Sequence, residues 1–345
     1  MALHQVIQRL LLIGVKIRAP PAPPPPQPPR KLLPLIESLS AAHRSFDQRA
    51  IHFGHRYRSG FWSIYLLSAL AVLCAVMPLA LGWDSASHAM HPYSGVWAMA
   101  EVGVIGTVSA IYWVGHRGDW QGEWLRARTT AELTWYLPLI APLLDFSAPQ
   151  SQANWYLRVL DPGQQLGAAD DVAALCERNE PLARELLAQA WWDPEFIASY
   201  AQWTIDVLEE QKHYHARIAL RQHALLHRVH SLTSGLFGLT ALGALTHLLV
   251  HTLWLSLVTT FFPALAASLH GALAQSEAYR LGATSERLVA ELQEAIDQIR
   301  AARSQQIEQV RLESLKSSVE AAIALILEEH QDWHMLVRPH HLPLA

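Results

Sequence analysis

The sequence predicts an all-α, polytopic membrane protein with four transmembrane helices in two hairpins and long helices extending into the cytoplasm. Three observations carry this expectation. Four apolar stretches, 61–82, 96–115, 231–250 and 253–274, each run to about 20 residues, enough to cross a ~30 Å hydrocarbon layer at ~1.5 Å per residue. None of them contains Lys or Arg. Basic residues flank each hairpin on the side away from its tip, and neither tip holds Lys or Arg.

Taken in chain order, residues 1–30 are expected to be a disordered tail with a proline-rich linker. The apolar run Leu10–Val15 is too short to span. Lys16 and Arg18 follow it without a small-residue cleavage motif, which argues against a secretory signal. Between Pro20 and Pro29, eight of ten residues are proline, a composition that forms an extended polyproline II spacer. Such a spacer normally joins two objects, yet only 19 residues precede this one. Residues 31–146 form a first helix–hairpin–helix module. Its entry helix spans 31–59, and its exit helix runs from Asp119 to about Asp145 with Pro138 and Pro142 bending or ending it.

A connector follows at 147–194. It is expected to be irregular, with a turn at Asp161-Pro162-Gly163 and a short helix from Pro181 to Trp191. Residues 195–336 form the second module, and 337–345 a tail. Here a long helix from Glu195 to His230 runs into the third span, and the hairpin turns near His251–Thr252. The fourth span is expected to continue into one polar helix ending near Trp333. Leu288, Leu292, Ala295 and Ile299, then Val319, Ala322, Ile323 and Ile326, recur at threes and fours on it. That stripe suits packing against another helix, with a partner subunit as one source.

The charge bias sets the topology. Arg30, Lys31, Arg44, Arg49, Arg56 and Arg58 precede the first span, and Arg117, Arg126 and Arg128 follow the second. Arg217, Arg221 and Arg228 precede the third, and Arg280 and Arg287 follow the fourth. The positive-inside rule puts both tips outside and both termini in the cytoplasm. Trp62, Trp83, Trp97, Trp113 and Trp254 fall at or near span ends, where an amphipathic ring sits best. The halves also echo each other, since Arg126 precedes Glu132 and Arg280 precedes Glu286 by the same six residues on the helix leaving the membrane. These four residues are expected to form the cytoplasmic gate or packing contact.

Composition excludes several classes. A formal net charge of −4 argues against binding a nucleic acid duplex. Two cysteines, Cys74 and Cys176, give neither a disulfide framework nor metal-ligand spacing. No phosphate loop, dinucleotide fingerprint, nucleophile elbow or zinc-protease motif is present, so there is no positive case for an enzyme, and no cofactor is expected. Glu101 is the sole acidic residue in a span. A carboxyl at that depth either faces an ion pathway or pairs at headgroup level with His88 or His91. Thr107, His247, Thr259 and Thr260 are the other candidates for a polar lining. His223, His227 and His230 fall at i, i+4 and i+7 on one helix face, a spacing that can hold zinc. A pH response suits them better than metal binding, because no matching ligand motif exists elsewhere.

The run Tyr57-Arg58-Ser-Gly-Phe-Trp-Ser-Ile-Tyr65 opening the first span carries a resemblance. So do Trp120–Trp124 and Arg126–Leu133 after the second, and Tyr200 through Gln211 to Tyr214-His215 before the third. Over residues 40–330 the chain resembles the SLATT superfamily, as a tandem pair of modules. These are bacterial two-span modules associated with SLOG nucleotide-sensing domains and second-messenger synthases. The resemblance implies a homo-oligomeric, pore-forming or membrane-perturbing effector of anti-phage defence. Its partners would be the lipid bilayer and a nucleotide second messenger or cytoplasmic sensor protein. A non-conducting membrane scaffold or sensor is the alternative. The chain departs from the family in lacking a recognisable sensor domain, and the proline-rich linker sits where one attaches.

Overall fold

Two long helices organise the protein. In the computed structural model, which describes residues 2–144, 169–188, 190–250 and 252–337 (backbone only at 169 and 328–337), α2 is Leu33–Ala80 and α6 is Pro194–Leu249. The other helices are α1 (Leu3–Leu11), α3 (Ser94–Arg117), α4 (Trp120–Ile140), α5 (Ala169–Leu187), α7 (Trp254–Gln275), α8 (Ala278–Arg303) and α9 (Glu308–Val337). Among the described residues every regular element is helical. Four helical stretches are long and apolar enough to cross a membrane, and they cover the four predicted spans apart from residues 81–82, 250 and 253.

The two halves repeat one path. A long helix, α2 or α6, runs through its apolar segment. A shorter one, α3 or α7, returns. The chain then breaks, and α4 or α8 runs back along the polar portion of the long helix. Each break is a left-handed residue, Asp119 (φ 41°) or Glu277 (φ 52°), and these are the only non-glycine residues with positive φ among those described. An L residue adopts this conformation only at a cost, so both breaks are held by their surroundings. Asp119 helps itself: its carboxylate accepts from the Gly122 N–H at 3.2 Å and caps α4.

Antiparallel pairing of α4 with α2 is fixed by Arg49–Glu123, by Arg128–Asp47 at 3.9 Å and by His43 on the Ala131 carbonyl at 3.0 Å. On the other side, Lys212–Gln293 at 2.7 Å and Arg303–Gln202 at 2.7 Å set α8 against α6. The halves join through α2 and α7. Gly271 lets the Tyr65 ring approach so closely that a Cβ there would lie 2.4 Å from Cε1. Among the spans, α3 lies along α2 and α6 along α7, so α2 and α7 are the central pair.

Two cores result. One sits at the base of the four apolar segments and contains Tyr57, Phe61, Trp62, Trp124, Leu225 and Leu273. The other closes the far end of the helical domain with side chains from α2, α4, α5, α6, α8 and α9. The second explains a correction. The fourth span and the single polar helix expected to continue it are three helices, broken at Ser276–Glu277 and at 304–307. The first break sets α8 along α6, and the second lets α9 fold back on α8. The stripe of Leu288, Leu292, Ala295, Ile299, Val319, Ala322, Ile323 and Ile326 is thereby buried inside this chain, and no partner subunit is needed to cover it.

Two other expectations change. Residues 1–30 hold an ordered helix, α1, because its apolar face finds partners on α2 and α6. Within the connector, the helix expected from Pro181 starts at Ala169, since Val172, Cys176 and Ala183 share one buried face with Leu187. The turn at 161–163, His251, the Trp333 side chain and the tail beyond 337 lie outside the described residues.

Candidate functional site

The junction between the spans and the helical domain gathers the most specific geometry. Tyr57 is 3 % exposed, stacked on Trp124 (centroids 5.6 Å, 26°) and edge-on to Phe61. Its hydroxyl accepts from the Gln275 side-chain amide at 3.1 Å, which ties α2 to the last turn of α7. Burial pushes the Tyr57 phenol up to about 12, so it stays protonated. The Arg58 guanidinium lies over the Trp124 ring at 4.8 Å, a cation–π contact. Trp124 fits because Gly54 faces it, where a Cβ would stand 2.9 Å from the ring. Thus Tyr57 and Arg58 of α2 and Trp124 of α4 form one joint, and Gln275 of α7 ties the second half to it at the mouth of the spans.

The predicted gate residues occupy separate places. Arg126 pairs with Glu123 at 2.8 Å, and Glu132 with Arg128. Arg280 pairs with Glu277 at 3.8 Å, and Glu286 meets His223 Nε2 at 3.2 Å. Counted from the left-handed residues, Arg126 is seven positions beyond Asp119, whereas Arg280 is three beyond Glu277. The echoed spacing is therefore displaced by four residues, about one helical turn, relative to the shared fold.

The predicted polar lining lies on three helices. Glu101 and Thr107 are on α3, Thr259 and Thr260 on α7, and His247 near the end of α6. Thr107 returns its hydroxyl to the Gly103 carbonyl at 2.8 Å and Thr259 to that of Leu255 at 2.9 Å. Glu101 is half-buried and makes no ion pair among the described residues. His91 is bound to the Trp83 carbonyl at 2.9 Å, and His88 to the Met90 N–H at 3.1 Å. His223, His227 and His230 are exposed on one face of α6, and among the described residues no three His, Cys, Asp or Glu side chains converge as metal ligands.

Three buried groups have contacts that the sequence reading did not foresee, although it named Tyr200 and His215. His215 is 7 % exposed, with Nδ1 3.3 Å from the Ser285 hydroxyl of α8. Burial holds its imidazole down at about 4, against a smaller upward pull from Glu132. Tyr200 is fully buried and donates to the Leu139 carbonyl at 2.5 Å, closing the far core. His4 on α1 is 3 % exposed, 3.2 Å from the Ser59 hydroxyl and 5.3 Å from the His55 ring. The signal that could have revealed α1 is the spacing Leu3, Ile7, Leu10, Leu11, one face of a short helix. Comparisons with family models, curated proteins and solved structures return no match.

Proposed function

We propose that this chain is a bacterial inner-membrane effector of a conflict or anti-phage system. In this reading it acts as a homo-oligomer whose cytoplasmic helices gate an ion path through the spans. One observation carries the reading: α2 and α6, of 48 and 56 residues, each run unbroken from the far core into an apolar segment. At ~1.5 Å per residue such rods are about 70–85 Å long, so a rearrangement of the far core is delivered to the spans without an intervening loop. The Tyr57–Trp124–Gln275 joint is where that movement would converge.

The experiment is expression in bacteria with a membrane-potential dye. Depolarisation and growth arrest are expected on activation, and Glu101→Ala should change conductance or toxicity. Normal potential and growth, even with a neighbouring second-messenger synthase co-expressed, would sink the pore. A non-conducting scaffold is the second reading. It is favoured by the hydroxyls of Thr107 and Thr259, which bond to their own helices and leave little polar lining in one protomer. A scaffold predicts indifference to Glu101→Ala.

A further inference from the structure

Helix α1 lies across the two long helices at the level where the spans begin. Near its start, the His4 N–H donates to the Ser59 hydroxyl on α2 at 3.4 Å. Near its end, Arg228 on α6 donates to the Leu11 carbonyl at 3.3 Å, and Arg221 donates to Gln8 at 2.7 Å. Ser59 lies two residues before the first span, and Arg228 three before the third. A helix held at both points runs along the membrane plane.

Its surroundings have two properties. The first is an apolar cavity of about 520 Å³, lined by Leu3 and Ile7 of α1, Leu66 and Leu70 of α2, Ile111 of α3 and Phe261 of α7. Along and just after α1, large apolar side chains stand open: Leu3 is 49 %, Leu10 60 % and Ile13 64 % exposed. The second is uncompensated positive charge. Arg58, Arg221 and Arg228 make no ion pair with a carboxylate among the described residues. Arg9, Lys16 and Arg18 add to them, and the first acidic residue of the chain is Glu37. Apolar side chains beside basic ones, on a short helix in the interface plane, are what an anionic lipid surface recognises.

We propose that α1, α2, α3, α6 and α7 together form a cradle for an anionic membrane phospholipid, with an acyl chain in the cavity and the phosphate at Arg221 and Arg228. The proposal rests on the four apolar helices being membrane spans and is independent of whether ions pass. The lipid is a structural partner of the joint, because α1 bridges the entry points of both halves.

The test is native mass spectrometry of the full chain, purified in detergent and offered equal amounts of phosphatidylglycerol and phosphatidylcholine. Preferential retention of phosphatidylglycerol is expected. Arg228→Gln and Arg221→Gln should each reduce that preference about fivefold, while Arg228→Lys keeps most of it. Equal retention of the two lipids by the native chain overturns the cradle, as does an undiminished preference in both Gln variants. Carbonate extraction of membranes separates the two levels. Native chain that stays in the pellet yet shows no preference refutes the cradle alone, whereas chain released by carbonate refutes the spans on which the cradle rests.

Discussion

At the scale of residues, the fold uses buried groups that need a fixed protonation state. His215 is the sharpest. Between α6 and α8 it faces Ser285, the Tyr214 ring lies 5.1 Å away, and Glu132 of α4 is the charged group acting on it. With a folded value near 4 against an ordinary 6.5, the unfolded chain takes up the proton first as pH falls. Stability from this residue is therefore complete above about pH 6.5 and is lost progressively toward pH 4, by at most about 3 kcal/mol. His4, also held down to about 4 by burial and by Arg58, acts in the same direction on α1. Thermal unfolding in detergent at pH 7 and pH 5 is the measurement. The native chain should lose stability at pH 5, and His215→Gln should lose clearly less. Equal losses would remove His215 as the cause.

At the scale of elements, the breaks after the hairpins decide the architecture, because they let α4 and α8 carry on from α3 and α7 along the polar portions of α2 and α6. Asp119 serves twice, as a residue type that tolerates the left-handed region and as the cap on Gly122. Gly122 is required in turn, since a Cβ there would lie 2.2 Å from the Asp119 carboxylate. Asp119→Ala is expected to cost ~1–2 kcal/mol by losing the cap and straining the backbone, while Asp119→Asn keeps most of the stability. Unfolding midpoints of the two variants check this, and equal midpoints would count against the cap. These breaks also show what was legible in the sequence. The four long apolar helical segments were, because length and apolar composition belong to each segment alone. Gly118-Asp119 was a readable stop, whereas Glu277 was not, since glutamate is an ordinary helix former and its left-handed state is imposed from outside. Helix α1 was missed because its meaning depends on Arg221 and Arg228, more than 200 residues away. The candidate site was legible as residue types only: Tyr57 and Trp124 were visible, but not their stacking, and the echoed Arg–Glu spacing did not reveal the different pairs each residue makes.

At the scale of the whole molecule, the halves repeat a path but do not stand alone. The core at the mouth of the spans takes Tyr57, Phe61 and Trp62 from α2, Trp124 from α4, Leu225 and Val229 from α6, and Leu273 from α7. The far core mixes α2 and α4 with α6, α8 and α9 in the same way. Polar contacts cross the same boundary: Lys31 to Asp193 at 2.5 Å, Ser38 to Asn179 at 2.6 Å, and Tyr200 to the Leu139 carbonyl. Burial of this kind is worth ~25 cal/mol per Å² of apolar surface, so the two halves should hold each other without a covalent link. A chain divided between Leu144 and Ala169 and co-expressed as two pieces is therefore expected to assemble, with a tag on the first piece retaining the second after detergent extraction. Tyr57→Ala combined with Leu273→Ala should weaken that retention, because it empties the core at the mouth of the spans while leaving every apolar span long enough to insert. If the untouched pieces separate freely, the joint between the halves is too weak to carry movement from the far core to the spans, and the gating reading falls with it.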